Sequence, residues 1–366
     1  MKIYNKICKL VIVLCVFYIV YSGTLGEEKI LGVFDYAKEK MTSAKGQVNE
    51  ADEGVFVEIE KNEDGIKVII DNVNSNALKL EEQQSEQVQG IFNPLGGELG
   101  NSAKKKLLEN RSMLEILKKE KKSVFMINNF FTVDATTSVT EEMMNPAKLL
   151  GYNVSIDEEE KKKSIILIYH THSSETYSDS VKGKRSDTVV GVGDYLTKLL
   201  EEKGYKVIHD TTAYDVKNGK WNRESYDTAL PNLKKYIKEN PEIIVTIDLH
   251  RNSGREKVVT TMNGVNVAQI MLFNGVSRNK NGARTGLENP NLQGNLAFSL
   301  KLLMCSMDKY PDFAKKTYIK GYRYNLHLVP RALLIEVGND KNTVAEAKAA
   351  MVPFADMLDE VLMGKY

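Results

Sequence analysis

The chain predicts an α/β fold, a three-layer arrangement with helices on both faces of one sheet, preceded by an N-terminal membrane segment and a small membrane-proximal module. Three observations lead there. From Ser164 onward, apolar β-branched runs alternate with segments of helical spacing, as expected for strands joined by crossover helices. The region before is rich in Glu, Lys, Gln and Asn and poor in large apolar clusters. The first residues run basic, apolar, acidic. The divisions implied are residues 1–26, 27–125 and 126–366.

In the first division Lys2, Lys6 and Lys9 precede an uncharged run from Leu10 to Gly26, and Glu27 and Glu28 follow. Basic before and acidic after keeps the N-terminal side in the cytoplasm and places the body outside the membrane. The apolar run is shorter than the roughly 20 residues that span comfortably. A retained single-pass anchor is therefore weighed against a signal segment cut near Val20-Tyr21-Ser22.

In the second division, Val55 to Ile59 and Ile66 to Ile70 alternate in polarity on either side of Asn62-Glu63-Asp64-Gly65. A D-G pair supplies the positive φ of a tight turn, so a β-hairpin is expected. Gln83 to Gly100 reads as a loop, and Lys104 to Lys122 as a charged amphipathic helix carrying Leu107, Leu108, Leu114, Ile116 and Leu117. The division carries no chemistry, and its plain reading is a spacer.

The third division yields a strand at Ile165–Tyr169 and a helix over Val192–Lys203 that stops at Gly204, a suitable C′ residue. A strand at Tyr205–Ile208, a helix over Tyr226–Glu239 and a strand at Glu242–Leu249 follow. Val258–Thr261 and Val265–Phe273 pair across Asn263-Gly264. A helix over Asn291–Lys309, a strand at Ala332–Val337 and a helix over Thr343–Leu362 close the chain.

Composition narrows the chemistry. Lys+Arg (50) and Asp+Glu (49) nearly cancel, which removes the basic excess that nucleic acid demands. Of the three cysteines, Cys8 and Cys15 lie in the apolar N-terminal run and only Cys305 remains. Neither a disulfide framework nor a cysteine metal cluster fits, so a metal must be held by histidine and carboxylate.

Three strands deliver such groups at their carboxyl ends, where open α/β sheets host chemistry. SIILIYHTHSSETY ends in His170, His172 and Glu175; EIIVTIDLHRN ends in Asp248 and His250; RALLIEVGN ends in Glu336. The economical assembly is a catalytic zinc site of His172, Glu175 and His250 with one position left for water. Zn2+ there activates water for amide hydrolysis, with Glu336 as the desolvated general base. His170, two residues from His172, is either half of an H-x-H ligand pair or a neighbour that orients a ligand or touches substrate. Asp248 would orient His250, and Arg251 is the further neighbour. His209 and His327 are read as structural.

IYHTHSSETY, GVGDYLTKLLEEKGY, IDLHRNS and LLIEVGN, with FFTVDATTS before them, together resemble the stage II sporulation protein P family. The resemblance spans roughly Phe130 to Leu362. It implies a zinc-dependent N-acetylmuramoyl-L-alanine amidase of cell-wall peptidoglycan, credited also with cutting peptide cross-links. It further implies a single membrane anchor, the engulfment stage of sporulation, and a complex with stage II sporulation proteins D and M. The family's motif histidines fall on His172 and His250 and its late glutamate on Glu336. The wider zinc amidases take their carboxylate ligand from the start of the helix after the first strand, which here points to Asp187 as the alternative to Glu175.

Two other readings compete. A zinc carboxypeptidase or endopeptidase would use the same H-x-x-E and later His, with Arg251, Arg255 or Arg331 holding a free carboxylate. A wall-binding scaffold would have no use for Glu336.

Overall fold

The computed structural model describes residues 100–366 and the backbone of strands β1 (Val55–Asn62) and β2 (Gly65–Asn72). The expected membrane segment, the loop before Gly100 and the cleavage motif lie outside the described residues. Among the described residues no helix is long and apolar enough to cross a membrane. The chain divides into two units, residues 1–80 and 81–366. In the first, β1 and β2 form the expected antiparallel hairpin, with Asn62 opposite Gly65.

The second unit begins with helices α1 (Asn101–Lys119) and α2 (Ser123–Phe130) and strand β3 (Phe131–Val133). Helices α3 (Pro146–Gly151) and α4 (Glu158–Lys163) lead into β4 (Ile165–Tyr169), α5 (Val189–Glu202) and β5 (Lys206–His209). The short pair β6 (Val216–Lys217) and β7 (Lys220–Trp221) precedes α6 (Ser225–Glu239) and the long β8 (Ile243–Asn252). Strands β9 (Val259–Met262), β10 (Val265–Ala268) and β11 (Ile270–Gly275) follow, then the small pair β12 (Arg278–Asn279) and β13 (Gly282–Ala283). The chain ends with α7 (Leu292–Lys309), β14 (Ala314–Lys320), β15 (Ala332–Asn339) and α8 (Val344–Leu362).

One seven-stranded sheet, in the order β3-β14-β11-β15-β8-β4-β5, organises this unit. Every neighbouring pair is parallel except β11 with β15. The sheet is thus two parallel blocks that meet head to tail at β11 and β15. Apolar residues alternate between its faces, as the period of a strand requires. Ile166, Ile168, Val245, Ile247, Leu249, Leu333, Ile335 and Val337 join the large core with residues of α5, α7 and α8. Leu167, Tyr169 and Ile243 pack with Ala229 and Leu233 of α6, and Leu334 with Phe273 and Leu326. Parity then assigns Asp248, His250 and Glu336 to the α6 face.

Local signals behave as their chemistry dictates. α5 ends at Gly204, whose φ of +90° supplies the left-handed cap, and Asn263-Gly264 turns β9 into β10 with φ of 50° and 78°. Thr343 and Glu346 close a capping box on α8. One expectation changes and one strand was not expected. Val265–Phe273 is not one strand: Gln269 separates β10, which pairs with β9, from β11, which enters the sheet. β14 carries four polar side chains in AKKTYIK and has no helix pattern or apolar run to announce it.

The helix expected to belong to the membrane-proximal module is α1, and it is part of the sheet-bearing unit. Its Leu107 and Leu117 are fully buried, Arg111 pairs with Asp308 at 2.7 Å, and Asn110 Nδ2 donates to the Met307 carbonyl at 2.9 Å, both on α7. The division placed at residue 126 therefore does not coincide with a structural boundary: the leucine stripe of α1 needs α7 to leave water. Leu117→Ala should lower the stability of the whole unit by about 2–5 kcal/mol, the cost of truncating a buried leucine, read from denaturant unfolding. A loss below about 0.5 kcal/mol, typical of exposed sites, would make α1 the spacer first expected.

Candidate metal centre

The turn after β4 folds back because its serines have a buried partner. Asp215, fully buried, accepts from Ser173 Oγ at 2.8 Å, from the Ser174 amide at 3.0 Å and from Ser174 Oγ. His172 and Glu175 are thereby carried over the end of β8, where they meet His250. The donor atoms of His172, Glu175 and His250 all lie within 4.8 Å of one another. Glu175 Oε1 is 3.7 Å from His172 Nδ1 and Oε2 is 3.4 Å from His250 Nδ1.

The remaining groups orient these three. His250 Nε2 lies 2.8 Å from Asp248 Oδ1 and 2.8 Å from Thr171 Oγ1, and Thr171 donates its amide and hydroxyl to Asp248 at 2.9 and 2.8 Å. A carboxylate on one imidazole nitrogen directs the other, here Nδ1, toward a metal position. Asp248 also drives the His250 pKa well up against the effect of burial. The Arg251 amide donates to Glu175 Oε2 at 2.9 Å, while its guanidinium donates to the Thr176 carbonyl. Burial alone would raise the Glu175 carboxyl, but the neighbouring His172 and His250 imidazoles and this amide hydrogen bond bring it down to about 2.

Glu336 lies in register with His250 on the adjacent β15. Its Oε2 is buried and has no hydrogen-bond partner among the described residues. Burial, reinforced by Glu175 and Asp248 against the opposing pull of His250, raises its pKa to about 7.

Aromatic rings complete the wall, and none was legible as a site residue. His172 has Trp221 at 5.2 Å and Tyr226 at 5.6 Å between ring centroids, and Tyr226 stacks on His250 at 6.4 Å. Trp221, the only tryptophan in the chain, is 57 % exposed at the end of β7. That exposed singleton was the one available signal. Asp215 and Thr171 gave none, since their partners are fixed only by the fold.

Of the expected site residues, His172, Glu175, His250, Asp248, Arg251 and Glu336 converge. His170 and Asp187 do not. β4 ends at Tyr169 and the chain turns, so His170 and His172 do not share a face as two strand residues would. His170 is fully buried under α5, its Nδ1 2.8 Å from the Leu249 carbonyl and its Nε2 2.9 Å from His209 Nε2. Burial, and then His209, lowers its pKa to about 3. A Cβ on Gly193 would lie 2.7 to 2.9 Å from these two rings, so only glycine lets the helix approach. Asp187 instead pairs with Lys184 at 2.9 Å and accepts from the Val181 amide. His209, with Asp194 at 3.1 Å, and His327, whose carbonyl accepts from Asn291, also lie outside the cluster.

Two imidazoles and a carboxylate are zinc-type donors, mutually close and already oriented by Asp248 and Arg251; the residues fit a divalent ion. The family model of stage II sporulation protein P matches residues 35–359. The chain belongs to this family. A relative, stage II sporulation protein P of Bacillus subtilis (strain 168), is 28 % identical over 216 residues, covering 54 % of this chain and 51 % of that protein. The chain thus spans about half the length of that curated relative. Among solved structures, it is similar to N-acetylmuramoyl-L-alanine amidase AmiC2 of Nostoc punctiforme, at 12 % identity and a TM-score of 0.33 over 55 % of this chain and 97 % of that one. A second is the apo N-acetylmuramyl-L-alanine amidase Ami1 of Mycobacterium abscessus, at 12 % identity and 0.33 over 54 % and 96 %.

Metal analysis after dialysis against zinc tests the cluster. His172→Ala and His250→Ala should each lose the bound ion; wild-type content in either removes that residue from the ligand set. Glu175→Ala should lose it as well and Asp187→Ala should keep it, and the reverse result would transfer the third ligand to Asp187.

Proposed function

We propose that the chain is a zinc-dependent N-acetylmuramoyl-L-alanine amidase, which cuts the amide between the lactyl group of N-acetylmuramic acid and L-alanine in peptidoglycan. The observation that carries this reading is the convergence of His172, Glu175 and His250 with the partnerless Glu336 carboxylate in register beside them. His172 Nδ1, His250 Nδ1 and the Glu175 carboxylate would hold the ion. Zinc, when bound there, supplies a water of lowered pKa and polarises the substrate carbonyl. Glu336 Oε2 takes the proton of the attacking water and returns it to the departing alanine nitrogen, which must leave as an amine. Asp248 keeps His250 in one tautomer throughout, and Tyr226 and Trp221 cover the histidines from solvent.

The setting proposed with this activity is the sporulation septum and engulfing membrane. The segment from Leu10 to Gly26 anchors the chain in a single pass, and stage II sporulation proteins D and M are its partners. Cleavage of peptide cross-links is a second activity of the same site. A zinc carboxypeptidase is the competing reading. It needs an arginine for the terminal carboxylate, yet Arg251 is engaged at Thr176 and Arg331 donates to the Val154 and Ser155 carbonyls. Only Arg255 is left for it.

Mass spectrometry of purified muropeptides incubated with the full chain and zinc decides among these. Free stem peptides beginning with L-alanine are expected. Loss of a terminal D-alanine would install the carboxypeptidase, and unchanged muropeptides would reduce the chain to a wall-binding scaffold. Glu336→Gln should retain zinc and lose about 10²–10⁴-fold in turnover, the usual worth of a general base; near-normal hydrolysis would remove Glu336 from that role.

A further inference from the structure

Beside Glu336, on the side away from the histidines, lies a cleft of about 210 Å³ lined by Asn252, Arg255, Gln269, Met271, Lys315 and Glu336 among others. Register explains its position. His250 on β8 is opposite Glu336 on β15, Glu336 is opposite Met271 on β11, and Met271 is opposite Lys315 on β14. Residues paired in register stand on one face of a sheet, so these four form a row that runs from the metal centre into the cleft. With strands about 4.8 Å apart, Lys315 starts roughly 14 Å from His250.

The far wall is built, not incidental. The loop after β8 is tied to the end of β15 by the Gly254 amide on Asp340 Oδ1 at 2.9 Å, the Asp340 amide on the Asn252 carbonyl at 3.1 Å, and Asn339 Nδ2 on the Glu256 carbonyl at 2.7 Å. A Cβ on Gly254 would come within 2.3 Å of Asn339 Nδ2, so the approach is specific to glycine. Arg255 therefore leaves a fixed backbone. Neither Arg255 nor Lys315 is within 4.0 Å of a carboxylate among the described residues, whereas neighbouring Lys257 pairs with Glu346 at 2.8 Å. Two cations outside any salt bridge among the described residues thus line a cleft that opens beside the general base and that Glu256 also lines.

We propose that this cleft is the subsite for the stem peptide beyond the scissile amide, and that Lys315 and Arg255 receive a free carboxylate of that peptide. The inference rests on the amidase reading and gives it a direction: sugar on the Trp221 side, peptide along the row toward β14. The distance suits a carboxylate beyond the first residue of the peptide. It is too long for the terminal carboxylate of the scissile residue, which a carboxypeptidase would hold.

The test uses the full chain with zinc and two muramyl tripeptides that differ only in whether the α-carboxyl of the second residue is free or amidated. The wild type should favour the free acid by about tenfold in kcat/KM, the scale of one charge-assisted hydrogen bond. Lys315→Ala with Arg255→Ala should bring the ratio of the two substrates to about one, Lys315→Glu should invert it, and Lys315→Arg should restore it. Equal rates in the wild type, or a preference that survives the double substitution, would overturn the proposal. If neither tripeptide is cut, the amidase reading falls, and calorimetric titration of the same pair decides the cleft separately: tighter binding of the acid, lost with Lys315 and Arg255, upholds it, and equal affinities end it.

Discussion

The Glu175 carboxylate is the contact on which the site depends. One oxygen faces His172 on the turn after β4 and the other faces His250 at the end of β8, so a single side chain joins two segments about 75 residues apart. Such a group is costly to bury unless its lone pairs are met. Here two imidazoles and the Arg251 amide meet them, and the Arg251 guanidinium pins the next carbonyl. The same three partners that keep Glu175 ionised also hold the two histidines at ligand spacing. A cluster assembled this way is preorganised for a cation, because Glu175 is held by the Arg251 amide and His250 by Asp248.

The sheet supplies the second constraint. Toward the carboxyl ends of β8 and β15, strand parity divides the side chains between packing and chemistry. Ile247, Leu249, Ile335 and Val337 go to the large core under α5, α7 and α8, and the alternate positions, Asp248, His250 and Glu336, go to the α6 face. Apolar burial on one face, worth about 1.5–3 kcal/mol for each fully buried aliphatic side chain, thereby holds polar groups on the other in fixed places. A one-residue slip of β8 or β15 would exchange the two sets, so core and site specify the same register.

How much of this was legible follows from the range of the interactions. The strands ending in His250 and Glu336 were legible because an apolar run followed by ligand types is a local signal. The H-x-x-E pair was legible by spacing. His170 misled because its parity was counted along a strand that stops at Tyr169; Thr171, not a histidine, takes the site face and serves Asp248. The choice of Glu175 over Asp187 turns on Asp215, whose hold on Ser173 and Ser174 shapes the turn and is set by a contact about 40 residues away. β14 was illegible because a strand with lysines on its exposed face lacks the apolar alternation by which edge-near strands are recognised. Yet β14 is what places Lys315 in line with Glu336 and His250.

That row gives the reversal of strand direction at β11 and β15 a functional meaning. In a uniformly parallel sheet the strand beyond β15 would present its carboxyl end beside Glu336, and further loops would crowd that carboxylate. Because β11 and β14 run the other way, they present their first residues there instead: Gln269 just before β11, Ile270 at its start, and Lys315 at the start of β14. Strand starts need no long loop, so the space beside Glu336 stays open as a cleft. The topology that closes the core on one face therefore leaves, on the other, an unblocked path leading away from the Glu336 carboxylate.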